Sequence, residues 1–350
     1  MSLQDAKSAV RRFQAELDAA DPGELDTVMR RHVGDGYRWR GFHPFYDLEG
    51  VDETVATFWR PLRTAMGRLQ RREDIFMAGV DRLAESDENA GERASTSAGA
   101  TWTCAMGHLL GLFDAPWLGI PPTGRMAFLR YVEFHRVERG CIVETVLLTD
   151  IVDLMQQAGV DPLPVCTGAQ LLVPGPRTHD GVMLEAQDPA EGERTHRLII
   201  QMVEELTGAG VHSPMDDLRR TWHEDMIWYG PAGIGSTHTL ERYEMQHQGP
   251  FGRGLDDMRF EGHEFHVDEG NFGAFLGWPS LTMVSTGGFL GMPGSNRRTE
   301  MRLVDLYRRE GDKLAENWVF IDLLHFLHLQ GFDALARLRE LREPLRDQRD

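Results

Sequence analysis

The stretch that decides the fold runs from Trp117 to Gly159 and reads WLGIPPTGRMAFLRYVEFHRVERGCIVETVLLTDIVDLMQQAG. The chain repeats this pattern without a gap from Phe289 to Gly331, as FLGMPGSNRRTEMRLVDLYRREGDKLAENWVFIDLLHFLHLQG. The identical residues keep one spacing, 322 − 150 = 172 positions, and include these pairs: Pro121 and Pro293, Arg125 and Arg297, Arg130 and Arg302, Glu144 and Glu316, Asp150 and Asp322, Gly159 and Gly331. A constant spacing over roughly forty residues is typical of a duplicated unit. Two copies predict two similar domains in tandem.

Each copy has the same three parts. A Pro/Gly turn is followed by two β-rich runs joined by a short charged turn, which predicts a hairpin. Asp150 and Asp322 stand where the strand pattern ends and a short apolar helical pattern begins. Gly159 and Gly331 follow these helices and suit a C-terminal cap.

Composition restricts the class of protein. A chain of 350 residues with 41% hydrophobic content is long enough for two cores of about 150 residues each. The net charge of −18 argues against nucleic-acid and anionic-membrane partners. Three cysteines without metal-ligand spacing, an N-terminus without an apolar signal-like core and no bilayer-length apolar run predict a cytoplasmic protein with reduced thiols.

The order of patterns predicts α-α-β-α-β-β-β-β-α in residues 1–160 and the same order in residues 191–340. Residues 161–190 carry five prolines and no periodicity, which indicates a connection strapped across a domain surface. Residues 341–350 read as a charged tail. The earlier landmarks Trp39 and Trp228 are 228 − 39 = 189 apart, so the second unit is 189 − 172 = 17 residues shorter before its repeat turn, which fits shorter strand connections.

These motifs resemble a known family. Helices followed by a curved antiparallel sheet resemble the nuclear-transport-factor-2-like α+β cone, and the motifs are similar to those of SnoaL-like polyketide cyclases. In the first unit the resemblance is carried by WLGIPPTGR (117–125), VEFHRVERGCIVET (132–145) and LLTDIVDLM (147–155). In the second unit it is carried by DMIWYGPAGIGSTHTLERYEMQHQGPF (225–251), FLGMPG (289–294), VDLYRREGDKLAENW (304–318) and VFIDLLHFL (319–327). The fold hosts several chemistries and binding-only members, so it does not specify a reaction.

The resemblance implies a funnel-shaped apolar cavity in each domain and cofactor-free closure of a polyketide ring, with an acidic residue as general acid and base. That role would fall on Asp322 and Asp150. Alternation places Val146 and Leu148 on one strand face with Asp150, an apolar wall beside an acid whose pKa burial would raise. The alternative is that both aspartates are helix N-caps, which would also recur in both copies. The residues alone leave both interpretations open.

Histidines give weaker signals. His108 and His238 are the preferred pair for polarising a carbonyl or moving a proton, although a lone histidine is more often structural. His263 and His266 resemble a metal motif, but on a strand their spacing would place them on opposite faces. His325 and His328 lack a partner at matching spacing. The spacing of the histidines therefore predicts no metal site, and the resemblance implies that no cofactor is needed.

Aromatic residues are expected to line the substrate pocket, although core packing explains most of them equally well. The candidates for substrate binding, with one histidine, are Trp228, Tyr229, His247, Trp318, Trp39, Tyr46 and Trp59. Arg130 and Arg302 are expected to form cross-strand salt bridges with Glu144 and Glu316.

The residues and the resemblance together favour a protein that binds a small, apolar, carbonyl-bearing molecule and carries out aldol cyclisation, isomerisation or dehydration. The alternative is a non-catalytic binding or assembly protein of the same fold. The second domain, with its block at residues 230–251, is the favoured site of activity. The two domains are expected to form an internal pseudo-dimer, with homodimerisation left open.

Overall fold

The computed structural model describes residues 1–83, 98–163, 166–208 and 214–346. Residues 86–92, whose polar, glycine-bearing sequence SDENAGE predicts a turn, lie outside these ranges. The first domain contains helices α1 (Leu3–Ala19), α2 (Leu25–His32), α3 (Gly50–Thr54), α4 (Arg60–Ala65) and α5 (Ile151–Gln157), with a π-turn at Val55–Trp59. Its strands are β1 (Val33–Gly41), β2 (Tyr46–Glu49), β3 (Met66–Val80), β4 (Thr101–Phe113), β5 (Arg125–Glu138) and β6 (Cys141–Thr149).

The second domain repeats this order. Its helices are α6 (Pro189–Gly208), α7 (Met215–Thr221), α8 (Leu240–Tyr243), α9 (Gly249–Gly254), α10 (Leu323–Leu329) and α11 (Ala334–Arg346), with a π-turn at Glu244–Gln248 and a 3₁₀ turn at Phe289–Gly291. Its strands are β7 (Trp222–Tyr229), β8 (Thr237–His238), β9 (Leu255–Phe260), β10 (Phe265–Glu269), β11 (Phe272–Ser285), β12 (Arg298–Glu310) and β13 (Lys313–Ile321). The α+β class is confirmed.

Each domain has one sheet. The six-stranded sheet has the order β2-β1-β6-β5-β4-β3, and the seven-stranded sheet has the order β10-β11-β12-β13-β7-β8, with β9 paired to β11. The predicted hairpins are β5–β6 and β12–β13, and both are antiparallel. The single long strand β3 corresponds to two short strands, β9 and β10. Within the described ranges, no helix combines the length and apolarity that a bilayer crossing requires.

Proline positions in the third helical segment explain its shape. In both domains a π-turn comes immediately before the proline-bearing helix, and Pro61 and Pro250 occupy its first turn. A proline inside a helical path lacks the N–H donor and its ring crowds the carbonyl four residues earlier, and the wider turn of π-helix before each proline accommodates this break in the hydrogen-bond ladder. The helical path therefore continues through both prolines.

The strand registers correct one predicted pair of contacts. Arg136 lies opposite Glu144 and Arg308 lies opposite Glu316, and both pairs form ion pairs. Arg130 instead reaches the second domain, where its guanidinium donates to the carbonyls of Gly230 and Tyr229 at 3.2 and 3.3 Å. The predicted bridges from Arg130 to Glu144 and from Arg302 to Glu316 are both wrong, because each hairpin register places the arginine six residues from the position opposite the glutamate.

Apolar side chains form two clusters. One fills the interior of each cone, between the helices and the concave sheet face, and includes Trp39, Trp59 and Trp228. The other lies between the outer faces of the two sheets. There Trp102 of the first sheet stacks on Phe265 of the second, with ring centroids 3.9 Å apart. Alternation along each inner strand thus supplies one apolar face to a cone and the other to the opposite sheet.

The connecting segment contacts both domains. Met183 is buried and its N–H donates to the carbonyl of Phe76 at 2.8 Å. The carbonyl of Pro174 accepts a hydrogen bond from Trp318 Nε1 at 2.9 Å. These contacts anchor the chain between the last helix of one domain and the first helix of the other.

Candidate functional site in the second domain

The interior of the second cone contains a cavity of about 120 Å³. Its walls come from α6, the π-turn segment and the concave faces of β7, β12 and β13. Along β12 the residues facing the cavity are Met301, Leu303, Asp305 and Tyr307, and along β13 they include Asn317. The intervening Val304 and Leu306 lie in the cluster between the sheets, as expected for a strand that is buried on both faces.

Asp305 is the acidic group of this cavity. Its Oδ1 accepts a hydrogen bond from Asn317 Nδ2 at 3.1 Å. Burial raises the pKa of the Asp305 carboxyl to about 7, although hydrogen bonds from Asn317 and Tyr307 oppose this rise. The pKa of the Tyr307 phenol is raised well above its ordinary value, first by burial and then by the charge of Asp305. The cavity thus holds a carboxyl that exchanges a proton near neutrality beside a phenol that stays protonated.

His247 and Trp228 form another part of the cavity wall. Their rings stack with centroids 4.0 Å apart and an interplanar angle of 21°. Burial lowers the pKa of His247 to about 3, so the imidazole is neutral at physiological pH. Within the part of the chain that the structure describes, His247 Nδ1 is buried and has no hydrogen-bond partner. A buried polar atom without a partner is costly, and a polar group of a ligand would satisfy it.

The corresponding position of the first domain is chemically different. Asp305 corresponds to Glu133, because 305 − 172 = 133. Glu133 forms a buried ion pair with Arg71 at 2.6 Å and accepts a hydrogen bond from Gln14 Nε2 at 3.1 Å. Burial alone would raise the pKa of Glu133, but the charges of Arg71 and His135 lower it to about 2. This carboxylate is therefore neutralised internally and is not available as a base near neutrality.

Asp150 and Asp322 occupy equivalent positions at the junction of the domains. Each Oδ1 caps the following helix, accepting from the N–H of Asp153 or of His325 at 3.1 Å. Each Oδ2 accepts from a backbone N–H of the other domain at 2.8 Å, Ala232 for Asp150 and His43 for Asp322. These two donors are also equivalent, since 232 − 43 = 189. Both carboxylates lie on the outer sheet face, away from the cavity beside Asp305.

The pKa values of these two aspartates reflect the junction. Burial raises the pKa of Asp322 to about 6 and raises that of Asp150, while backbone donors and nearby Arg302 and Arg130 oppose the rise. His108 and Asp150 both line a small cavity of about 30 Å³ at the junction, and His108 Nδ1 lies 3.7 Å from Asp74. The structure thus brings two sequence candidates together, but outside the cone interior.

The remaining candidates lie in five places. Trp228 and His247 line the cavity of the second cone. Tyr229 and Trp318 stack between the sheets at 5.5 Å, Trp39 and Trp59 are buried in the first cone, and Tyr46 hydrogen-bonds to His43 and His325 at the junction. His238 is exposed on β8.

The second domain, which holds the cavity, is similar to a known protein family. Residues 199–328 match the model of the SnoaL-like polyketide cyclase family. Over these residues the second domain is similar to SnoaL-like proteins. No curated protein matches the chain at a significant level.

Solved structures similar to this chain each align with about two fifths of its length. One is a proposed SnoaL-like polyketide cyclase from Jannaschia, with 21% identity, coverage of 44% of this chain and 90% of that chain, and a TM-score of 0.31. Another is IdmH, a proposed polyketide cyclase from Streptomyces antibioticus, with 18% identity, coverage of 39% and 99%, and a TM-score of 0.33. A third is an NTF2-like protein from Burkholderia xenovorans, with 15% identity, coverage of 40% and 97%, and a TM-score of 0.32.

Two groups of side chains in the described ranges have ligand atoms close enough to hold a metal ion. They are His43, His328 and Asp333 at the junction, and His196, His266 and Asp268 beside the SnoaL-like domain's sheet. The prediction that His263 and His266 point to opposite faces is wrong. His263 precedes the first residue of β10, so strand alternation does not apply to it, and its Nδ1 lies 2.9 Å from His266 Nε2.

Sequence reasoning missed Asp305, Tyr307 and Asn317. A signal was present, because Asp305 and Glu133 place an acid at the same point of an apolar strand in both repeats. The sequence could not show that this face, rather than the face ending in Asp322, lines the cone.

Proposed function

We propose that the SnoaL-like domain binds a small, flat, apolar molecule that carries a carbonyl group, and that Asp305 acts on it as general acid and base without a cofactor. The observation that supports this proposal is a carboxyl with a pKa near 7 on the wall of an apolar cavity. An engineered cavity of about 150 Å³ binds benzene, so a cavity of about 120 Å³ suits one ring of a ligand. The ring of Trp228 offers a flat surface for it.

The proposed chemistry needs only groups of this chain. The Asp305 carboxylate removes a proton from the carbon next to the carbonyl, and the electron pair of that C–H bond moves into an enolate. The neutral phenol of Tyr307 donates to the enolate oxygen. In a substrate with two carbonyl groups, the enolate carbon then forms a bond to the second carbonyl carbon, the C=O π electrons of that group move to its oxygen, and the resulting alkoxide takes the proton back from Asp305. Isomerisation would use the same proton transfer with return to another carbon.

We assign Asp150 and Asp322 a different role, as helix caps that also join the domains. Both oxygens of each carboxylate already accept backbone hydrogen bonds, which leaves them poorly placed to receive a substrate proton. His108 and His238 have no place in the proposed reaction, since one lies at the junction and the other on the surface.

The two domains are proposed to form an internal pseudo-dimer. The cluster between the sheets and the equivalent hydrogen bonds of Asp150 and Asp322 support this proposal. In this arrangement the first domain has a structural role, because its corresponding acid, Glu133, is paired with Arg71. Sedimentation at a single-chain mass would agree with it, and homodimerisation through another surface would appear as twice that mass.

A screen of one- and two-ring carbonyl compounds tests the function. Thermal shift reports binding and mass spectrometry reports conversion, with wild type, Asp305→Asn, Asp322→Asn and the exposed control Asp225→Asn. We expect ligands to stabilise all four proteins and conversion to be lost only in Asp305→Asn, by about 10²–10⁴-fold. Full conversion by Asp305→Asn, with loss in Asp322→Asn, would return the catalytic role to the junction.

A second candidate function is binding without catalysis. The largely apolar cavity and the unpaired Nδ1 of His247 favour it independently of Asp305. Compounds that stabilise the protein, depend on His247 and emerge unchanged from wild type would support this alternative.

A further inference from the structure

A second group of chemically active side chains lies outside the cavity, where α6 crosses the edge strand β10. It consists of His196 on α6 and of His266 and Asp268 on β10, and one ligand atom of each lies within 4.8 Å of the others. His196 Nδ1 is 2.9 Å from Asp268 Oδ2. The proposed acid-base chemistry uses none of these residues.

Local structure explains why the three side chains converge. His266 and Asp268 are two residues apart on β10, so both point to the same face of the strand. Gly273 lies opposite Asp268 on β11, and a Cβ at Gly273 would approach Asp268 Oδ1 to 2.5 Å. The absent side chain at Gly273 therefore leaves the room that the carboxylate occupies.

Two further observations indicate a ligand-binding site. Asp268 Oδ1 is buried and has no hydrogen-bond partner within residues 1–83, 98–163, 166–208 and 214–346. His263 engages Nε2 of His266 at 2.9 Å, which fixes that ring and leaves Nδ1 to coordinate. A ligand histidine whose other nitrogen is held by a hydrogen bond is the usual arrangement at protein metal sites.

We propose that His196, His266 and Asp268 bind one divalent cation of the zinc class. Two imidazoles and one carboxylate are a donor set that zinc accepts, with bonds of about 2.0–2.2 Å. His196 also lines a surface groove with Arg82 and Glu193, from which water would supply the fourth ligand. The positive charge of Arg82 opposes a cation, but its guanidinium lies 3.9 Å from the carboxylate of Glu193, which offsets it.

The site would fix the helix that forms one wall of the cavity. Beyond His196, α6 supplies Met202 and Leu206 to the cavity, and His263 lines it as well. An ion that joins α6 to β10 would therefore order two parts of the cavity wall without contacting the ligand. This role is independent of the function proposed for Asp305.

Metal titration of the full chain tests the proposal. Chelator-treated protein is titrated with Zn²⁺ by calorimetry and with Co²⁺ by visible absorption, which reports coordination directly. We expect one equivalent to bind to wild type, binding to be lost in His266→Gln and Asp268→Asn, and affinity to fall about 10–100-fold in His263→Gln. The control His179→Asn, at an exposed histidine of the connecting segment, should bind like wild type.

Circular dichroism confirms that each variant is folded before titration. No stoichiometric binding by wild type would overturn the proposal and leave His196 and Asp268 as a simple hydrogen-bonded pair. Equal binding by wild type and His266→Gln would also overturn it, because the ion would then be held elsewhere.

Discussion

Replacing Asp305 with asparagine should change the pH dependence of stability, even before any ligand is known. The carboxyl has an ordinary pKa of 3.8 in the unfolded chain and about 7 in the folded protein. The folded state therefore binds this proton more tightly than the unfolded state. The stability that the protonated carboxyl contributes is fully present below about pH 4 and is lost as pH rises toward 7. Above that pH the free energy of unfolding no longer changes with the ionisation of Asp305.

The magnitude follows from the two pKa values. A change of one in pKa corresponds to 1.36 kcal/mol, so ionisation of Asp305 should cost about 4 kcal/mol of unfolding free energy at pH 8, as an order of magnitude. Asparagine has nearly the same shape and never ionises. Asp305→Asn should therefore match wild type within about 1 kcal/mol at pH 4.5 and exceed its stability by about 2–4 kcal/mol at pH 8.5.

Urea unfolding of both proteins across this pH range measures the difference. Asp225→Asn is the matched control, because Asp225 lies on β7 of the same domain and is exposed. Its difference from wild type should stay within about 0.5 kcal/mol at every pH. A pH-independent difference between wild type and Asp305→Asn would show that the carboxyl ionises normally, and the acid-base argument would fail.

Three other substitutions test the remaining assignments. Asp322→Ala removes a helix cap of about 1 kcal/mol and a charge-assisted hydrogen bond of about 1.5–3 kcal/mol between domains, so urea unfolding should show a loss of about 2–4 kcal/mol; a loss below about 0.5 kcal/mol would contradict the junction role. Arg71→Met should cost about 3–5 kcal/mol because it leaves Glu133 charged and unpaired, and adding Glu133→Gln should restore most of that loss in the same assay. His247→Phe keeps a ring against Trp228 but removes the unpaired nitrogen, so thermal stability should be unchanged or higher while ligand affinity falls about 5–10-fold in a thermal-shift titration. Unchanged affinity would exclude Nδ1 as a ligand contact.

Much of the fold was predictable because the same sequence pattern occurs twice in the chain. The hairpin, the short helix after it and the capping glycine recur at one spacing, and local patterns of this kind depend on neighbouring residues. The helix caps formed by Asp150 and Asp322 are also local features, because an aspartate just before an apolar helical run accepts hydrogen bonds from the first backbone N–H groups of that helix. Shortening before the second repeat turn was predictable too, and it falls in a strand connection: residues 81–100 join β3 to β4, whereas only residues 270–271 join β10 to β11.

Contacts between distant segments were not predictable in this way. The bridge expected for Arg130 failed because a hairpin register of several residues cannot be read from composition. The partners of Asp150 and Asp322 across the junction, and the approach of His196 to His266, join residues about 70 to 280 positions apart. Nothing local to those residues specifies which segment will pack against them.

The sequence by itself determined that there are two α+β units, that strand residues alternate between two faces, and that each unit carries acids on both faces. Only the tertiary structure decided which face became the inside of a cone. Both faces of β12 and β13 are apolar, so periodicity assigns residues to a face but cannot distinguish a cavity wall from a sheet-to-sheet contact. Packing of the two sheets covered the face that ends in Asp322 and left Asp305 facing the cavity, because apolar side chains on the two outer faces leave water together when the sheets meet.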